Sequence, residues 1–162
     1  MNPADGELAL RLVVAFVLSY VLGFERQLRG SPAGDRTFSL IGVGTAVIGA
    51  LSEASAPNAL AGAVTGIGFI GGGLVFRQST ASGEAVRGIT SAAAIFATAA
   101  IGAAAGEGRL ILAVVGTGLV LLCLEIPHIP GLRLLDATRW QHRFRPDQPA
   151  APDNPPAPED LS

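Results

Sequence analysis

Residues 54–76 read Ala-Ser-Ala-Pro-Asn-Ala-Leu-Ala-Gly-Ala-Val-Thr-Gly-Ile-Gly-Phe-Ile-Gly-Gly-Gly-Leu-Val-Phe, a stretch without one charged side chain. Thr37 to Ser52, Gly88 to Gly106, Leu110 to Leu124 and Leu12 to Phe24 are charge-free as well. A charge at mid-bilayer costs at least ~2.5 to 3.5 kcal/mol on the mildest scale, so insertion empties a span of charge, whereas a soluble core helix keeps a charged outer face. With Leu8 to Leu10 and a snorkelling Arg11 added to the first run, all five approach the ~17 to 25 residues of a bilayer-crossing helix. The shorter ones call for local thinning of the bilayer. The expected fold is all-α, a polytopic membrane bundle of about five transmembrane helices.

Composition agrees: of 162 residues, 49% are hydrophobic and only 15% charged, which leaves little polar surface to wrap a soluble core. The first run lacks the basic leader of a signal peptide, since Asp5 and Glu7 are the first charges, and is read as a span. The predicted organisation is a transmembrane domain over residues 1–130, a juxtamembrane basic segment over 131–145 and a disordered Pro/Ala/Asp-rich tail over 146–162. Pro127 and Pro130 break the last helix, and Leu132 to Phe144 suits a short helix on the inner leaflet anchored by Trp140. The lone Cys123 cannot form an intramolecular disulfide and reads as a small packing residue.

The chain has no lysine, and its arginines divide unevenly across five spans. Arg26, Arg29, Arg36, Arg77, Arg87, Arg133, Arg139, Arg143 and Arg145 fall on one side; Arg11 and Arg109 fall on the other. The positive-inside rule makes the crowded side cytoplasmic, with the N-terminus outside and the C-terminus inside.

Glycine dominates the third run. Gly62, Gly66, Gly68, Gly71 and Gly72 have spacings that let helix backbones approach closely, and Gly102 gives the fourth run a similarly thin helix. These six are the predicted packing glycines, and the third helix is expected at the centre of the bundle. Gly66 to Gly71 formally match a dinucleotide fingerprint, but neither the preceding strand nor the parallel sheet it needs is expected. Thr90, Ser91 and Thr98 are expected to bond their own helix or a neighbour.

Polar groups converge at the cytoplasmic rim: Glu25 and Arg26 end the first span, Arg36 and Thr37 open the second, Arg77 ends the third, and Arg87 with Thr90 opens the fourth. The second and fourth helices also point their positive dipole ends there. Such a cluster suits a partly buried ion-pair network around Glu25 or an anion-receptive pocket, because arginine's planar fork binds carboxylate or phosphate bidentately. No nucleophile–base pair or metal-ligand set is visible, and His128 and His142 sit outside the spans, so no enzyme and no resident cofactor are expected.

Gly23-Phe24-Glu25-Arg26-Gln27, Ala33-Gly34-Asp35-Arg36-Thr37, Gly66 to Gly73 with Arg77, and Val86-Arg87-Gly88-Ile89-Thr90-Ser91-Ala92-Ala93 resemble, in order and spacing, the motifs of the MgtC/SapB family. Thr98 to Gly106 is similar to the family's fourth span, and the likeness covers roughly residues 8–126. It implies the transmembrane domain of a bacterial inner-membrane protein associated with magnesium homeostasis, without the long soluble C-terminal domain of the best-known members. Asp35 replaces an apolar residue usual in the family, Phe96 a tryptophan, and Pro57-Asn58 an Asp-Pro pair.

Two functions are expected to compete. One is transport of Mg²⁺ or another ion by an oligomer, using the glycine-lined third and fourth helices as its path. The other is a non-transporting modulator that binds another membrane complex. Mg²⁺ would be a transported or sensed ion in either case; hard and strongly hydrated, it is bound by carboxylates and water, and the arginine-rich rim should repel it. The expected partners are the lipid bilayer and a second copy or another membrane protein, with no nucleic acid.

Overall fold

The computed structural model describes residues 3–54, 56, 58–80, 83–126 and 128. It divides into two compact units, Met1–Leu124 and Glu125–Ser162. Only residues 125, 126 and 128 of the second unit are described, so the predicted basic segment over 131–145 and tail over 146–162 lie outside the described residues.

Among the described residues are five helices: α1 (Pro3–Leu28), α2 (Asp35–Ala54), α3 (Ala59–Leu74), α4 (Ile89–Gly106) and α5 (Leu110–Glu125). Each overlaps one charge-free run. In hydrocarbon a backbone must satisfy its own hydrogen bonds, and a helix does so within one segment. The stretches Asp5–Leu28 and Ile89–Gly106 have the length and hydropathy to cross a bilayer; α3 and α5 are shorter apolar helices. Leu40, Phe69 and Ile111 are 75%, 86% and 83% exposed, an apolar surface that suits lipid rather than water. The protein is a helical membrane bundle.

Between α3 and α4 the chain forms an antiparallel hairpin of β1 (Phe76–Thr80) and β2 (Gly83–Arg87), with Phe76 opposite Arg87 and Thr80 opposite Gly83. The third run was expected to remain helical through Phe76. Instead α3 stops at Leu74, and Val75 turns extended with φ −86° and ψ 112°. Gly88 follows the hairpin with φ +92°, a left-handed conformation open to glycine, and a Cβ there would lie 2.0 Å from the Leu74 carbonyl oxygen.

The helix ends at the other turns are also written in glycine. After α1, the Gly30 amide donates to the Gln27 carbonyl and the Ser31 amide to that of Arg26. After α4, Gly108 donates to Ala105 and Arg109 to Ala104. Both are six-to-one and five-to-two pairs about a left-handed glycine, the motif that satisfies the last carbonyls of a helix. At the end of α4 this closure is reinforced by Arg11, whose Nη1 donates to the Gly106 carbonyl at 3.1 Å while Nη2 pairs with Glu7 at 2.6 Å. A cation there also meets the negative end of the helix dipole.

α2 and α4 each pack against the other and against α1 and α3, and α4, with ten buried residues, more than any other helix among the described residues, occupies the centre. This corrects the expectation that the third helix is central. The close approaches run through α2 and α4: a Cβ on Gly102 would lie 2.4 Å from the Gly42 carbonyl oxygen, and one on Gly106 would lie 2.0 Å from that of Ala46. Gly42 faces Ser19 of α1, and Gly49 faces Ala103 of α4. Buried hydroxyls close on their own helices. Ser19 donates to the Ala15 carbonyl, Thr45 to Ile41, Thr98 to Ala94 and Thr117 to Ala113, at 2.5 to 2.9 Å. The buried apolar core gathers Leu22, Phe38, Ile67, Ile95 and Ile101 around alanines. Cys123, expected as a packing residue, is exposed on α5.

Candidate functional site

The last turns of α1 carry the deepest charges. Glu25 is 9% exposed and Arg26 8%, because both lie on the side of α1 that also buries Leu22. The Arg26 fork closes on its neighbour: Nη2 donates to Glu25 Oε1 at 2.6 Å and Nε to Oε2. Arg29, one turn further, brings its Nε to 3.5 Å from the same Oε1. One carboxylate thus answers two guanidiniums. A buried carboxylate bonded through both oxygens satisfies the requirement that interior charge be paired; this is an ion-pair network centred on Glu25.

Directly after this network the chain turns at Gly30, and Ser31 Oγ lies 2.8 Å from Ser91 Oγ in the first turn of α4. The contact fastens the α1–α2 turn to the start of the central helix. Arg11 at the opposite end of α1 reaches the last turn of α4. These two clasps put Arg26, Arg29, Arg36 and Arg87 at one end of the bundle, with Arg11 and Arg109 at the other.

Of the predicted rim residues, Glu25 and Arg26 meet. Arg36 and Thr37 join Gln27, Gly34 and Asp35 in lining a pocket of about 320 Å³ at the first turn of α2. Asp35 Oδ1 accepts from the Arg36 amide at 2.7 Å, capping one of the free donors of that turn. Arg87 and Thr90 are exposed, and neither forms a hydrogen bond or ion pair with the Glu25 group among the described residues. Arg77 falls in β1, opposite Val86. The rim is therefore two centres, a buried ion network on α1 and an open polar pocket on α2.

The glycines separate in the same way. Gly102 is wedged against α2, and Gly71 faces Ala92 of α4 at 3.6 Å. Gly62, Gly66, Gly68 and Gly72 meet nothing within 4 Å among the described residues. At about 100° of rotation per residue, Gly62 and Gly66 lie on the side of α3 away from Gly71.

Sequence reasoning did not assign Gln27, Ser31 or Ser39 to a site. Gln27 lies inside a quoted motif, which was a signal of its place; Ser31 and Ser39 carried none, because a serine's partner depends on which helix faces it. Among the described residues no group of three or more His, Cys, Asp or Glu side chains is placed to hold a metal ion.

Comparison with known proteins covers most of this architecture. The MgtC family model matches residues 12–129. The "Putative magnesium transporter YhiD" of Escherichia coli K12 is 36% identical over 143 residues, covering 80% of this chain and 65% of that protein. "Protein SrpB" of Synechococcus elongatus is 35% identical over 148 residues, 82% of this chain and 79% of its own. "Protein MgtC" of Brucella abortus is 39% identical over 111 residues, 65% of this chain and 45% of its own. The chain thus spans about two thirds of YhiD and under half of MgtC. No solved structure matches it. The family match over all five helices, with the Glu25–Arg26 network and the α4 core inside it, places this chain in the MgtC family.

Proposed function

We propose that the protein acts in magnesium homeostasis in the bacterial inner membrane, as an oligomeric component of Mg²⁺ transport whose α3 helices face one another. The observation that supports this is an open glycine face of α3 formed by Gly62 and Gly66, about 40° apart around the helix on the side away from α4, where neither Cβ position has another atom within 4 Å among the described residues. Glycine in a helix interior costs about 1 kcal/mol relative to alanine. A helix that carries a pair four residues apart on an open face gains from them only when another backbone comes close. Gly102 and Gly106 of α4 are already engaged within the chain, and α2 and α5 each carry a single open glycine, Gly44 and Gly118, so the face with paired open glycines belongs to α3. The magnesium link rests on family membership and on the likeness to the "Putative magnesium transporter YhiD".

Orientation follows from the arginine-rich end of the bundle, which we place in the cytoplasm, with the N-terminus outside. A fluorescent-protein fusion after residue 130 should be fluorescent, and one at the N-terminus dark. Transport is tested by Mg²⁺ flux into liposomes holding the purified protein. We expect flux above empty liposomes, and its loss in Gly66→Leu with the monomer's thermal midpoint retained. Folded protein without flux would instead favour the second reading, a modulator that offers the same α3 face to another membrane complex.

A further inference from the structure

The polar pocket at the start of α2 adjoins a second groove of about 440 Å³, lined by Phe16, Tyr20, Asp35, Arg36, Ser39 and Leu40. Asp35 and Arg36 belong to both. Down this second groove the chemistry is ordered by depth. The charged pair stands at the mouth; Ser39 lies one helical turn inward from Asp35; Leu40, Tyr20 and Phe16 supply an apolar wall, the two rings stacked with centroids 5.9 Å apart.

Ser39 is the exception among buried hydroxyls. It is 7% exposed, and its Oγ has no hydrogen-bond partner among the described residues, whereas Ser19, Thr45, Thr98 and Thr117 all bond carbonyls of their own helices. An unpaired buried hydroxyl is costly and calls for an unseen acceptor. Arg36 is exposed and its guanidinium pairs with no described carboxylate. Asp35 spends one oxygen on the Arg36 amide, leaving the other.

We propose that the joined grooves hold one phospholipid whose headgroup carries a primary ammonium beside its phosphate, as in phosphatidylethanolamine. Asp35 takes the ammonium and Arg36 the phosphate, with Gln27 and Thr37 around the head. The ester oxygens come to the level of Ser39, and an acyl chain lies on Tyr20, Phe16 and Leu40. The carboxylate at the mouth disfavours a purely anionic headgroup, and a quaternary choline has no N–H to give it. This inference is independent of the magnesium reading.

The test is native mass spectrometry of the full chain released from micelles containing equal phosphatidylethanolamine, phosphatidylglycerol and phosphatidylcholine. One phosphatidylethanolamine should be retained, at about tenfold preference over phosphatidylcholine, the factor expected for one added charge-assisted hydrogen bond. Asp35→Asn keeps a capping oxygen and should abolish the preference while still retaining lipid; Arg36→Gln and Ser39→Ala should lower retention itself. Ser39→Ala removes an unsatisfied group, so its thermal midpoint should not fall, which separates lost binding from lost folding. Arg109→Gln, at the other end, should change nothing. Equal retention of the three lipids, preference for phosphatidylglycerol, a pattern indifferent to both Asp35→Asn and Arg36→Gln, or displacement by millimolar inorganic phosphate would overturn the proposal.

Discussion

At the scale of single residues, the Glu25–Arg26 pair is the most consequential feature. Its members are adjacent in sequence, so the pair forms without help from tertiary structure; burial to about a tenth of full exposure makes each depend on the other. Removing one partner leaves an uncompensated interior charge, and Glu25→Ala should lower unfolding free energy by about 3 to 5 kcal/mol. Replacing both, as in Glu25→Leu with Arg26→Met, should recover most of that loss. A double-mutant cycle followed by circular dichroism in detergent measures the coupling, and additive losses would mean the pair is not buried in solution. Gly88 makes a second residue-scale prediction. Its φ of +92° and the Leu74 carbonyl against its missing side chain leave no room for a Cβ, so Gly88→Ala should cost more than the ~1 to 2 kcal/mol of a left-handed residue alone. Reduced folded yield on size-exclusion chromatography reads this out.

At the scale of elements, α2, α3 and α4 carry glycines for different reasons. Gly102 and Gly106 let α4 lie backbone to backbone on α2, and Gly102→Leu should force the two apart, lowering the thermal midpoint sharply. Gly68→Leu, by contrast, should not lower the monomer's midpoint, because no atom of the described residues lies within 4 Å of its Cβ position and leucine favours a helix over glycine. Equal destabilisation by the two would contradict the placement of α4 at the centre. The hairpin β1–β2 interrupts what looked like a longer third helix. A glycine-rich apolar run reports suitability for lipid, but Gly71-Gly72-Gly73 and the β-branched Val75 hold a helix weakly, and the chain leaves it at Leu74.

At the scale of the whole molecule, the polarity of the arginines and the two clasps agree. Ser31–Ser91 fixes one end of α1 to the start of α4, and Arg11 fixes the other to its close. Ser91→Ala should loosen only the first clasp, raising amide hydrogen exchange at residues 30–36 while leaving the turn at Gly108 protected. Number and position of the five helices were legible in the chain, because hydrocarbon excludes charge and each apolar run ends where an ionisable side chain or a helix-ending glycine begins. The Glu25–Arg26 pair was legible for a similar reason: its partners are neighbours, and a charge at the end of a span demands an answer. Gly102 as a packing residue could be read in the same way. What the chain alone left undetermined was partnership between distant segments. A small-residue spacing announces that a backbone can approach, not which one does, so α4 and not α3 proved to be the central helix. Ser39 looked like any helical serine until packing buried it without an acceptor. Charge and hydropathy are properties of each residue and travel with the sequence; close approach, burial and an unmet hydrogen bond are properties of pairs far apart along the chain, and only the tertiary structure decides them.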